Sequence, residues 1–413
     1  MLSIGFLKAE NHNHSIDYLK MKRFISAGQR PVKRSLLTIF FGMVFFMACP
    51  AVASDRVLGL SSDVNSALHY LIDLVRQPDT PVFEAHHIDP FLDFITSSKP
   101  KDVIYRADDT FDAPSAYNDF SIDLDLKRLA DYTMDANIPS FVFWPSSLRL
   151  TTWTSVHGGP EQLVRLRAAV SKFEGPFVLR GAEHIAITPD QNTGTYFSYD
   201  IDKLIVFSPY KKGKVLITIQ SQQAPSAVGK KGWVLGEDEQ WSYLYTSEKG
   251  IGLKGLGWAD TQMYDSFNVT VYYQADPQTP KVTCGSVSWV KAGWAGINMV
   301  KTKHIHRGLT RVASAFTAVM ENPRLPEPSA LAKTFSKTEG LPTPTLRRYT
   351  SDYFDELQRR LSASETVWKK VRHSFDTKNF LDQMTRDEMY ATLALDYLKK
   401  VLNHNPVMER HPF

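Results

Sequence analysis

KVLITIQ (214–220) and SFNVTVYYQ (266–274) are the two stretches whose periodicity sets the fold. In the first, Val215, Ile217 and Ile219 alternate with Leu216, Thr218 and Gln220; in the second, Phe267, Val269, Val271 and Tyr273 alternate with Asn268, Thr270 and Tyr272. Successive side chains of a strand point to opposite faces, so a period of two predicts strands with one apolar face each. The same reading predicts strands at 195–199, 204–207, 241–245 and 282–290. No helical crossover intervenes from about Gly175 to His306, so these strands pair antiparallel.

An antiparallel sheet with an apolar face needs a cover, and helical patterns flank it on both sides. Before it, Pro160 opens a helix carrying Leu163, Val164, Leu166, Val170 and Phe173, which Gly175 and Pro176 close. After it come Leu309, Val312, Ala313, Phe316, Val319 and Met320 at helical spacing, ending before Pro323. An earlier amphipathic helix carries Val64, Ala67, Leu68, Leu71, Ile72 and Val75 behind Ser61 and Ser62. Between it and the sheet, residues 82–157 are mixed, with a helix expected over 123–134 and a short strand at 141–144.

Pro323, Pro326, Pro328, Pro342 and Pro344 mark an extended connector. Beyond it, Phe354, Leu357, Leu361, Trp368, Val371 and Phe375 follow helical spacing. Thr385 and Glu388 form a capping box ahead of Met389, Leu393, Tyr397 and Val401. The expected fold class is therefore α+β: an antiparallel, aromatic-rich β-sheet covered by helices, plus a C-terminal helical hairpin. Its expected divisions are a leader (1–53), a mixed helical segment (54–157), the sheet with its flanking helices (158–322), a linker (323–345) and the hairpin (346–413). The order of strands followed by a long helix is similar to that of helix-grip, lipid-binding folds, a likeness of architecture that fixes no function by itself.

The leader carries the one long apolar run. From Leu36 to Cys49 there is no charge, and at about 1.5 Å per residue this helix would cover roughly 21 Å of a hydrocarbon layer about 30 Å thick. Lys33 and Arg34 precede the run, and Ala51, Val52 and Ala53 follow it, the pattern of a secretory signal cleaved after Ala53. Pro50 after Cys49 suits a lipid attachment site poorly. The expected location is the periplasm or the extracellular medium.

Without residues 1–53, 41 basic side chains face 42 acidic ones, so the formal net charge of +4 for the whole chain belongs to the leader. A near-neutral chain lacks the clustered cations that release counterions from phosphates, which argues against nucleic acid as a partner. A local basic stretch remains at Lys301, Lys303, Arg307 and Arg311, read as a solvated edge. Cys284 would be the single remaining cysteine, so no internal disulfide is expected and stability must come from the core.

Motifs for chemistry are weak. Gly250, Gly252 and Gly255 match the dinucleotide fingerprint by letter, but that motif needs a following helix, and Gly257, Trp258 and a strand follow instead. His304 and His306, two apart on an expected extended segment, would share a face and are weak candidates for metal ligands. Other histidines lie beside acids, at His86 and His87 near Glu84 and Asp89, and at His184 after Glu183. No third ligand stands at a recognisable spacing, no G-x-S-x-G elbow occurs, and no cofactor is expected.

Aromatic residues stand out. Five of the eight tryptophans fall between 233 and 294, with several tyrosines among them. Such residues suit strands, yet they also line apolar pockets, and a curved sheet under a long helix makes one. Trp233, Trp241, Tyr243, Tyr245, Trp258, Tyr264, Trp289 and Trp294 are the expected ligand-lining set. The resulting expectation is an exported, non-catalytic protein whose pocket binds an apolar small molecule such as a lipid, with a protein partner at the C-terminal helices. The alternatives are an envelope hydrolase, metal-dependent through His304 and His306, or an assembly protein acting through those helices.

Overall fold

The computed structural model describes residues 56–77, 82–109, 112–191, 193–253, 257–363, 371, 375–409 and 411, with backbone alone at 247, 251–253 and 257–258. The leader, with its proposed cut after Ala53, and Trp368 lie outside the described residues. The chain runs β1 (Arg56–Gly59), α1 (Ser62–Arg76), α2 (Asp89–Thr96), β2 (Val103–Arg106), β3 (Ser115–Ile122), α3 (Leu126–Thr133), β4 (Leu148–Val156) and α4 (Glu161–Lys172). Then come β5 (Phe177–Ile187), β6 (Phe197–Tyr210), β7 (Gly213–Gln222), β8 (Lys230–Val234), β9 (Tyr243–Lys249), β10 (Ile251–Leu253), β11 (Gly257–Ala259), β12 (Thr261–Gln274), β13 (Val282–Trp294) and β14 (Ile297–Asn298). Helices complete it: α5 (Thr302–Met320), α6 (Pro328–Glu339), α7 (Thr343–Ser362), α8 (Thr377–Gln383) and α9 (Arg386–Val401).

The fold is α+β, built on an eight-stranded antiparallel sheet. Its order is β4-β5-β6-β7-β12-β13, with β3 and β14 sharing the outer edge of β13. Between β7 and β12 the chain leaves the sheet to form two small hairpins, β8–β9 and β10–β11. Bulges at 148/150 and 153/155 in the β4–β5 pairing, and at 263/265 in β12–β13, bend the sheet.

Each face of the sheet has its own core, as a period of two requires. Leu204, Val206, Val215, Ile217, Ile219, Phe267, Val269 and Val271 point to one face, where α1 and α2 cover them. Ser61 caps α1, its side chain accepting from the Val64 N–H. Gly285 lets α2 come close: a Cβ there would lie 2.4 Å from Ile95 Cγ1. On the other face, Ile205, Phe207, Leu216, Tyr272 and Cys284 join one core with α3, α4, the C-terminal half of α5 and the C-terminal helices.

Several expectations are corrected. Residues 54–157, read as mixed helical, contain β3 and β4 of the main sheet; β3 buries Ser115, Ala116 and Tyr117 in succession, and β4, at the sheet's edge, buries only Leu150, so neither carries a regular apolar alternation. The strand expected at 141–144 is a 3-10 turn over Ser140–Val142. The two strands expected at 195–199 and 204–207 are one, β6, whose interior run Leu204 to Phe207 is buried on both faces and so loses its alternation. The expected extended connector holds α6, with Pro328 in its first turn, and Pro344 opens α7; prolines there start helices rather than prevent them. The C-terminal helices pack into the sheet's core, with Leu393, Ala394 and Leu398 of α9 fully buried.

Candidate ligand-binding site

Between the second face of the sheet and α5 lies a cavity of about 1190 Å³. Strands β5, β6, β7, β12 and β13 form its floor, and α5 crosses above through Ile305, Leu309, Val312 and Ala315. One end is closed by an aromatic cluster: Phe316 of α5 stacks on Trp144 at 5.1 Å between centroids and meets Phe120 at 6.0 Å and Tyr272 at 6.3 Å.

Strand register orders the floor into bands. Lys203 stands opposite Gln220, Gln220 opposite Asn268, and Asn268 opposite Ser288, so four strands place polar side chains in one transverse row. The next row toward the closed end runs Ile205, Thr218, Thr270 and Ser286. Asn268 Nδ2 donates to Ser286 Oγ (3.2 Å) and Ser288 Oγ (2.6 Å), and Thr270 Oγ1 donates to Asn268 Oδ1 (2.9 Å). Beyond the polar band, Ile185, Phe197, Tyr199, Ile201, Met263 and Val290 make an apolar patch.

Charge inside the cavity wall is compensated. Lys203 Nζ donates to both carboxylate oxygens of Glu183, at 2.9 and 3.0 Å, and the two side chains are 10% and 2% exposed. Lys203 also lies 5.0 Å from the Trp153 ring centroid. A buried cation and anion that hold each other in this way add no net charge to this part of the wall. Burial raises the Tyr199 hydroxyl to about 12, so it stays protonated across the physiological range.

The roof helix is fixed by Arg311, whose guanidinium pairs with Asp238 through Nε and through Nη2 (2.8 Å). Arg311 also donates to the Thr188 carbonyl (3.0 Å), the Ser146 carbonyl and Tyr243 Oη (3.1 Å). One side chain thus joins α5 to the ends of β4 and β5 and to the β8–β9 hairpin. Of the basic stretch noted in the sequence, Arg311 has its side chain enclosed, 9% exposed, and is structural, while Lys303 and Arg307 are exposed on the cavity's rim.

The structure distributes the eight aromatic candidates among several environments. Trp241 and Trp294 line the large cavity. Trp241, Tyr243 and Tyr245 also line a smaller pocket of about 120 Å³ against α7, α8 and α9, where Arg149 lies 3.8 Å from the Tyr243 ring centroid. Trp289 faces the opposite core, against Phe267, and donates from Nε1 to the Asp108 carbonyl (3.0 Å). Trp233 packs on the main core beneath Lys231, and Tyr264 accepts the Gly296 N–H at the β13–β14 turn (2.8 Å). Trp258 belongs to β11, and its side chain lies outside the described residues.

His304 and His306 are not on an extended segment but in the first turns of α5, because the helix starts at Thr302 rather than near Leu309. Two positions apart on a helix is about 200° of rotation, so they diverge instead of sharing a face. His304 Nδ1 accepts the Lys301 N–H, and His306 Nδ1 donates to the Tyr117 carbonyl (3.1 Å). Among the described residues, Glu84, His86 and His87 are the three that approach metal-ligand spacing; they are exposed on the α1–α2 side of the sheet, and the carboxylate beside two imidazoles accounts for their closeness.

The polar band of Lys203, Gln220, Asn268, Thr270, Ser286 and Ser288 escaped the sequence reading, although a signal for it was present. A strand face turned to water normally carries charges. The alternate positions Thr218, Gln220, Ser266, Asn268, Thr270, Ser286 and Ser288 carry amides and hydroxyls without one charge. Such a face is polar yet sheltered. Compared with known proteins, the chain matches no family model, no curated protein and no solved structure.

Proposed function

We propose that this protein binds an apolar or amphiphilic ligand of lipid size in the cavity between the sheet and α5, and that it does so after export from the cytosol. The cavity itself carries this reading: at about 1190 Å³ it exceeds the roughly 300–1,000 Å³ of ordinary small-molecule sites. Its walls are apolar over the Ile185–Phe197–Met263–Val290 patch, and its charged pair is internally satisfied, which suits binding rather than proton transfer or nucleophilic attack. The leader supports export through its charge, apolar core and small residues.

The test is organic extraction of protein purified from its native envelope fraction, followed by mass spectrometry and by titration of lipids against tryptophan fluorescence, for which Trp241 and Trp294 are reporters inside the cavity. The expected result is a co-purified lipid near one per chain, with Ala292→Phe weakening rebinding at least about tenfold by filling the cavity. An empty extract, with no lipid altering the fluorescence of the wild type, overturns the reading.

A further inference from the structure

Building on the lipid-binding reading, we infer the ligand's class: an uncharged amphiphile whose polar group, a hydroxyl, carbonyl or amide, rests on the transverse band Gln220–Asn268–Ser288. Three observations converge on it. Register sets this band and the adjoining Thr218–Thr270–Ser286 row across the floor between an apolar patch and an aromatic end, so a bound molecule must bring its polar group to these two levels and apolar surface to either side of them. Gln220, Asn268 and Ser288 are neutral, and the charged member of the row, Lys203, is held by both carboxylate oxygens of Glu183 at hydrogen-bond distance. An ionised carboxylate or phosphate brought there would be desolvated beside a cation already neutralised, a large penalty with no compensating partner.

The third observation is unspent hydrogen-bonding capacity. Gln220 and Thr218 face the cavity, and neither side chain has a hydrogen-bond partner among the described residues. Ser288 Oγ accepts from Asn268, which leaves its own proton to donate. Gln220 and Thr218 are half-buried, so water reaches them in the open cavity, and a ligand that displaces this water loses affinity unless it supplies a hydrogen-bonding group in its place. Lys303 and Arg307 also line the cavity, but they are exposed, where water and salt screen their attraction for an anion.

The experiment compares one apolar chain bearing different ends: oleyl alcohol, oleamide, oleate above its pKa, and octadecene, each titrated calorimetrically into delipidated full-length protein. The alcohol and amide should bind at least about tenfold tighter than oleate and octadecene. Gln220→Leu, and separately Asn268→Leu, should erase that margin and improve octadecene binding, with Gln220→Met as a second variant should the leucine form fail to fold. Oleate binding as tightly as the alcohol, or a margin unmoved by any of these folded variants, overturns the inference while leaving the lipid-binding reading intact. No binding of any of the four, together with an empty native extract, overturns both.

Discussion

At the scale of single residues, the cavity wall depends on Glu183 and Lys203. Each is nearly inaccessible, and each is the other's counterion. Removing one leaves a buried, uncompensated charge, which typically costs about 3–5 kcal/mol, whereas replacing both with apolar groups of similar volume is often neutral. Glu183→Leu alone should therefore destabilise the fold by about 3–5 kcal/mol, and the double variant Glu183→Leu with Lys203→Met should regain most of it, read from urea midpoints. Equal destabilisation by the single and double variants would mean that the pair is not what holds this wall. This pair had no signature in the sequence: Glu183 and Lys203 lie on different strands, and β5–β6 register brings them together.

At the scale of elements, α9 illustrates how local and distant terms combine. Thr385 and Glu388 form the capping box expected from the sequence, with Thr385 N–H donating to Glu388 Oε2 (2.8 Å). Tertiary contacts then reuse the same carboxylate, since Tyr196 Oη (2.9 Å) and Lys230 Nζ (3.1 Å) both donate to Glu388 Oε1. Burial works against that charge, but these donors outweigh it and hold the Glu388 carboxyl below its usual range. Toward the end of α9, burial lowers Lys399 to about 8, with Asp396 opposing the shift, and Lys399 Nζ donates to Ser242 Oγ of the β8–β9 hairpin (2.8 Å). The sign of its pH effect follows. From about pH 8 to about 10.4, the ordinary lysine value, the folded chain has shed this proton and the unfolded chain retains it, so stability rises with pH. Lys399→Met should abolish that rise, measured as the difference between urea midpoints at about pH 7.5 and about pH 9.5. An unchanged difference would place the source elsewhere.

At the scale of the whole molecule, the sheet is covered on both faces, and the covers include helices from both ends of the described chain. α1 and α2 close one face; α5 and the C-terminal helices close the other. Because α9 buries Leu393, Ala394 and Leu398 in the core that contains Phe141, Phe143 and Phe207, the C-terminal helices are not a detachable module. Deleting residues 343–413 should expose that core and yield aggregated protein, and the intact chain should unfold in one cooperative transition by circular dichroism and by tryptophan fluorescence. A soluble truncated chain with the sheet's native spectrum would show that the helices are dispensable. Lipid binding should disappear with the same truncation, because Trp241, in the wall of the cavity, stacks on His404 at 4.0 Å.

The sequence alone determined the antiparallel strands, through their period of two in 214–220 and 266–274, and the helices α1, α4, α9 and the apolar face of α5. These are local properties: spacing, caps and breakers act within a few residues of one another. Tertiary structure decided what each face meets. It set Thr218, Gln220, Asn268 and Ser288 inside a cavity rather than in water, turned Trp289 to the opposite core, and brought Glu183 to Lys203. Periodicity establishes that a strand has two faces, but which element covers each face depends on packing between residues far apart in the chain, and that contact energy is absent from any local window of sequence.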